Sequence, residues 1–165
     1  MTYYTLFVLD LQSRRVQIVG STRNPDAAFT AHAARRLTDV VEGFLVGHRV
    51  LICDRDAKWT DEFRTLLEGA GVRIVRTAVQ APNANAYAER FVRSIREECL
   101  DRLILLGERR LLHVLKEFVM HYHEERNHQG LGNALIMPED RPLRGRRVRC
   151  RQRLGGLLRY YHRAA

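Results

Sequence analysis

Short runs of strand formers alternate with stretches of helical periodicity along most of this chain, and that alternation restricts it to an α/β architecture. Tyr3–Leu11 is an apolar run rich in strand formers, and Arg14–Thr22 follows with alternation at Val16, Ile18 and Gly20. The short polar link Gln12-Ser13 makes the two an antiparallel hairpin. Asn24-Pro25-Asp26 reads as a helix start, with Asn as cap, Pro in the first turn and Asp favouring the dipole. Phe29, Ala33, Leu37, Val40, Val41 and Phe44 continue it at helical spacing, and Gly47 closes it. Arg49–Cys53 reads as a buried strand running into Asp54. Thr60 caps a short helix with Phe63, Leu66 and Leu67 inward, and Gly69–Gly71 stop it. Val72–Val75 is a further strand. A polar loop with Pro82 leads into a long helix over about residues 85–106. Another covers about 109–126, with Leu112, Leu115, Phe118, Val119 and Tyr122 inward. The order predicts a mixed sheet with helices packed on it.

Apolar residues make up 45% of the 165 residues, enough for a sizeable core. No apolar run approaches the roughly 18 residues of a membrane span, and nothing resembles a signal peptide. The expectation is a soluble, intracellular protein without a membrane partner. Cys53, Cys99 and Cys150 form no metal-binding spacing, so they read as reduced thiols. The net charge is +9, and Lys58 and Lys116 are the only lysines. Arginine offers a planar fork that suits phosphate, which points to a polyanionic partner. A GC-rich gene also favours arginine over lysine, but it does not explain the excess of bases over acids. After Asp140 come nine arginines and no acidic side chain, which reads as a solvated, poorly ordered basic tail. Such a tail suits nonspecific DNA binding. Tyr160 and Tyr161 near its end either dock on the core or stack with bases.

Three places hold carboxylates suited to chemistry. Asp10 ends the first strand, Asp54 ends the central strand, and Glu89 lies in the first turns of the long helix. Ligand sites gather at the carboxyl ends of sheet strands. Magnesium takes carboxylate oxygens, and two such ions can clamp the attacking and leaving oxygens of a phosphodiester. A single strand-end aspartate is more commonly a turn or cap residue. On a helix, Asn85, Glu89, Arg93 and Arg96 share one face, while Ala88, Phe91, Val92, Ile95, Cys99, Leu103 and Leu106 share another. That places a metal-binding carboxylate beside arginines able to track a DNA backbone. An ordinary Glu89–Arg93 pair on a solvated face is the plainer reading of the same spacing. Asp56 reads as a turn residue or a reserve ligand, and Lys58 as a phosphate contact or a solvated turn residue. His121, His123 and His128 are loosely spaced with no cysteine among them. They read as a surface cluster at a helix end, where histidine suits the dipole.

Longer motifs carry a resemblance. Asp54 with Lys58-Trp59-Thr60 resembles the second catalytic acid of bacterial insertion-sequence transposases in the retroviral-integrase superfamily, together with the turn after it. Ala81-Pro82-Asn83-Ala84-Asn85-Ala86 followed by Glu89-Arg90-Phe91 resembles the segment bearing that family's catalytic glutamate. Thirty-four residues lie between Asp54 and Glu89, close to the family's spacing. Glu98-Cys99-Leu100-Asp101, His121 through Arg126 and His128-Gln129-Gly130-Leu131 also match the pattern.

The resemblance implies a ribonuclease H-like fold, a mixed sheet flanked by helices. It implies metal-dependent phosphoryl transfer in DNA transposition, with Asp54 and Glu89 holding Mg²⁺ or Mn²⁺, two ions in an intact site. Lys58, Asn85, Arg90, Arg93 and Arg96 would contact DNA, both transposon ends and target. A homo-oligomer in a bacterial cytoplasm, associated with the nucleoid, would follow. The family's sheet opens with three antiparallel strands, the first bearing the first acid, whereas only two precede the first helix here. On that register the first strand is missing, the first acid would lie upstream of Met1, and Asp10 is a common but noncatalytic aspartate. The alternative is that Asp10 or a partner's acid substitutes. Residues 1–131 are the expected core-like domain and 132–165 the basic tail. Two other classes stay in view: a noncatalytic DNA-binding remnant, and an oligomerising scaffold with no DNA role.

Overall fold

The structure is a computed structural model describing residues 2–54, 58–77, 85–138 and 147–163. It is mixed α/β, and among the described residues its strands pair two by two. The chain divides into two compact units, residues 1–8 with 17–86, and residues 9–16 with 87–165.

The first unit opens with strands β1 (Tyr4–Leu9) and β2 (Val16–Thr22), which pair. The six-residue link between them is short enough only for antiparallel pairing. Helix α1 (Ala27–Leu37) starts two residues later than expected. Its cap is Asp26, not Asn24: the Asp26 carboxylate accepts the Phe29 N–H at 2.8 Å. It also stops earlier than the apolar spacing suggested. The Thr38 hydroxyl turns back onto the Ala34 carbonyl, and the Asp39 carboxylate accepts the N–H groups of Val41 and Glu42. These local bonds compete with helix propagation, and Val40 and Val41 end up 88% exposed.

Strand β3 (Val50–Cys53), helix α2 (Asp61–Gly69) and strand β4 (Arg73–Arg76) form a parallel βαβ unit. Thr60 caps α2 as expected, its hydroxyl accepting the Phe63 N–H, an arrangement worth about 1 kcal/mol. Gly71, at φ +81°, supplies the left-handed turn from α2 into β4. β3 is not the buried strand expected: only Cys53 is buried, while Val50 and Ile52 are each 41% exposed. The core of this unit gathers Val8, Val19, Ala34, Leu37, Phe63 and Leu67 beneath α1 and α2.

The second unit is built on helices α3 (Ala86–Glu98) and α4 (Glu108–Glu124). α3 is shorter than expected, giving way to a 3-10 turn at Leu100–Arg102 and leaving Ile104 and Leu106 exposed. On α4 the inward face is Leu111, Val114, Leu115, Phe118 and Tyr122, so it lies slightly to one side of the stripe expected. Phe91 meets Phe118 and Tyr122, the latter edge-on with centroids 5.2 Å apart. Each fully buried Phe contributes about 1.5–3 kcal/mol through transfer from water.

His121, His123 and His128 are buried, which corrects the surface cluster expected. Each is committed to a specific hydrogen bond. His128 Nε2 donates to the Tyr122 carbonyl at 2.7 Å. His123 Nε2 accepts the Val16 N–H at 2.9 Å, so that nitrogen must be unprotonated. Burial, then the charges of Arg15 and His128, push His123 down to about 4.

The basic tail is also corrected. Val148–Arg153 (β5) and Leu158–Arg163 (β6) form an antiparallel hairpin, turned at Leu154-Gly155-Gly156 with left-handed backbone. Glu125, at the end of α4, takes up its charge. The Arg153 guanidinium donates to both Glu125 oxygens at 2.8–3.1 Å, Arg151 donates at 3.2 Å, and His121 Nδ1 lies at 2.9 Å. Burial pushes the Glu125 carboxyl up, but the hydrogen bonds from Arg153, His121 and Arg151 outweigh it and hold it at about 2.

His123 gives stability a pH dependence of definite sign. Its folded value of about 4 lies below the ordinary 6.5, so the unfolded chain binds the proton first on acidification. The stability is complete above pH 6.5 and falls as pH drops toward 4. Urea midpoints measured across that window should decline, and decline less in His123→Gln. A flat wild-type profile would contradict the buried neutral imidazole.

Candidate functional site

Asp54 follows the last residue of β3, at the carboxyl end of the parallel pair, and its side chain is exposed. The local sequence fixes its orientation. Thr60 starts α2, which places Phe63 in the core. Phe63 packs against Trp59, with ring centroids 4.9 Å apart. The Trp59 indole N–H then donates to Asp54 Oδ1 at 2.6 Å. Arg64 reinforces the turn by donating to the Trp59 carbonyl and to Asp61. One carboxylate oxygen is thus held from the protein side by a residue with a single donor and no acceptor. The neighbouring Cys53 thiol is pushed up to about 11, first by burial and then by the Asp54 charge. Lys58 lies with its ammonium 5.0 Å from the Tyr4 ring centroid.

Glu89 lies in the first turn of α3, exposed, in the second unit. Arg90, Arg93 and Arg96 are exposed along the same helix, and Phe91, Ile95 and Cys99 are buried. The division into a polar and an apolar face therefore holds in part: Val92 is 38% exposed, and Leu106, expected on the apolar face, lies beyond the helix and is 81% exposed. Asn85, just before α3, is half-buried. Arg96 has a long, exposed ion pair with Asp101 at 3.8 Å, a contact of little energetic weight. At the start of α3, Tyr87 stacks under the Arg14 guanidinium, 3.5 Å from the ring centroid.

Asp10 is spent on the hairpin turn. Its carboxylate accepts the Gln12 N–H at 2.9 Å and the Ser13 hydroxyl at 2.6 Å. Asp56 and the stretch Ala81-Pro82-Asn83-Ala84 lie outside the described residues.

Asp54, in the first unit, and Glu89, in the second, each offer exposed hard oxygen donors of the kind Mg²⁺ takes. Among the described residues, no group of three or more His, Cys, Asp or Glu is gathered in one place. No described helix is long and apolar enough to cross a membrane.

Sequence reasoning missed the role of Trp59 as the donor to Asp54, and that of Glu125 as the acceptor for the tail arginines. The first had a signal in the indole N–H five residues after the acid. The second had one in the imbalance of charge after Asp140.

No curated protein matches the chain. Residues 70–135 match a family model described as an integrase core domain. The matched stretch holds β4, α3 with Glu89 and its arginines, and α4, while Asp54 lies before it. It supports an integrase- or transposase-type core in this chain, and with it a function of the DNA integration or transposition type.

Proposed function

We propose that this chain acts in DNA transposition by metal-dependent phosphoryl transfer, with Asp54 and Glu89 as metal ligands. The observation that carries the reading is the integrase-core match over residues 70–135, which takes in Glu89 and the exposed arginines of α3. The bacterial insertion-sequence resemblance of the Asp54 and Glu89 segments, and a ribonuclease H-like arrangement, belong to the same proposal.

Mg²⁺ or Mn²⁺, when bound, supplies charge stabilisation for the phosphodiester undergoing displacement. The protein's own part is positioning. Trp59 holds one Asp54 oxygen and so limits the carboxylate's rotation about the strand end. Arg90, Arg93 and Arg96 carry forked donors suited to phosphate oxygens and set the register of a DNA strand along α3. Asn85 and Lys58 add uncharged and charged donors to the same task. The substrates would be transposon ends and target DNA, and the working form a homo-oligomer.

Labelled DNA incubated with Mg²⁺ or Mn²⁺ should yield nicked or strand-transfer products with the wild type. Asp54→Asn should reduce them on the order of 100-fold or more, the scale expected when an electrostatic group is removed from the reacting centre. Equal products from the variant would contradict the assignment of Asp54. No products from the wild type, with salt-sensitive DNA binding intact, would favour a noncatalytic DNA-binding protein. Asp10→Asn should leave Mn²⁺ affinity unchanged, because its carboxylate is used in the turn. Lost metal binding in a folded Asp10→Asn variant would restore Asp10 as a ligand.

A further inference from the structure

We propose that the outward face of the β5–β6 hairpin binds single-stranded DNA, with Arg159 and Arg163 on phosphates and Tyr161 stacked on a base. The proposal rests on the DNA reading above for the class of ligand, and on the hairpin's own register for the site.

Directly opposed residues of an antiparallel pair share a face. The register pairs Arg153 with Leu158, Arg151 with Tyr160 and Arg149 with His162. That face is turned inward over most of its length. Leu158 is buried, and Arg151 and Arg153 are held by Glu125, with a further contact from Arg153 to Glu117 at 3.1 Å. Tyr160 stacks on His162 with centroids 5.5 Å apart, which places it on the same face.

The other face carries Gln152 opposite Arg159, Cys150 opposite Tyr161, and Val148 opposite Arg163. All six are exposed, and Tyr161 is 63% exposed. Two neighbouring tyrosines in one strand thus have opposite roles, one facing inward and one facing solvent. Along β6 the outward order is cation, ring, cation, with the two cations about 13 Å apart at strand rise. A phosphate on either side of a stacked base suits that order. Arg159 donates its Nε to the Gly156 carbonyl at 3.0 Å, which orients the guanidinium and leaves its terminal nitrogens for phosphate. The chain carries no acidic side chain after Asp140, so the hairpin brings no carboxylate of its own to neutralise this face. A large exposed ring favours unpaired bases, whose faces are open for stacking, over a closed duplex.

Fluorescence anisotropy on the full chain tests this, with a labelled single-stranded oligonucleotide and a duplex of the same sequence, in EDTA so that catalysis plays no part. Removing both charges in an Arg159→Gln, Arg163→Gln variant should make the log–log salt slope for the single strand shallower by about 1.4, at roughly 0.7 per phosphate contact. Tyr161→Ala should weaken single-strand binding roughly 5- to 150-fold, the range for one lost base–aromatic stack, and leave duplex binding unchanged. Unchanged slope and affinity in these variants would overturn the proposal. So would equal weakening toward duplex by Tyr161→Ala. If the wild type still bound DNA in those cases, the DNA reading itself would stand. No binding of any DNA by the wild type would overturn both. Photocrosslinking of a bromodeoxyuridine oligonucleotide to the wild type needs no variant to fold. The crosslink should map to Tyr161, and its confinement to other peptides would overturn the proposal.

Discussion

A carboxylate taken out of water must be matched by charge and hydrogen bonds, and Glu125 sets that demand for the second unit. Its side chain is almost wholly buried, and it is met by Arg153, Arg151 and His121. Leaving one such buried charge unmatched costs about 3–5 kcal/mol. The demand is what turns a basic C-terminal stretch into a folded hairpin. It also decides which arginines are structural. With Arg151 and Arg153 committed to the acid, the period of two along β5 and β6 sends Arg159, Tyr161 and Arg163 to the opposite face. The same helix end spends its other polar groups locally. Arg126 forks onto Glu98 at 2.7–3.1 Å, and His128 is tied to the Tyr122 carbonyl.

The first unit follows a simpler rule. Its apolar core under α1 and α2 fixes the βαβ element, and that element presents Asp54 at a strand end. Packing reaches the candidate chemistry through a short relay from Phe63 to Trp59 to the Asp54 carboxylate. A carboxylate restrained in this way loses less freedom on binding an ion than one free to rotate.

Much of this was legible in the sequence where a local signal decides the outcome. The first hairpin, the Thr60 cap, the strand leading to Asp54 and the polar face of α3 all follow from short-range pattern. Reading failed where one local signal outbid another. Val40 and Val41 continue the helical spacing of α1, yet Thr38 and Asp39 bond their own backbone and stop the helix. It also failed where the decisive partner is distant. Nothing near Arg153 in the sequence indicates an acid 28 residues earlier, and nothing near His123 indicates the Val16 N–H. Composition correctly flagged the tail as basic, but composition does not carry the pairing that orders it. In the candidate site, residue types and spacing alone favoured a turn aspartate and an ordinary Glu89–Arg93 pair, and only the resemblance of the longer motifs singled out Asp54 and Glu89. The orienting role of Trp59 depends on the packing of Phe63 and was not legible in either.

The central claim is that Asp54 and Glu89 are metal ligands and not solvated surface acids. Its most direct test is the Mn²⁺ affinity of the full chain, followed by electron paramagnetic resonance of the free ion. Wild type should bind Mn²⁺, and Asp54→Asn and Glu89→Gln should each weaken binding about 10- to 100-fold while the fold is retained. Wild-type affinity in both folded variants would contradict the account.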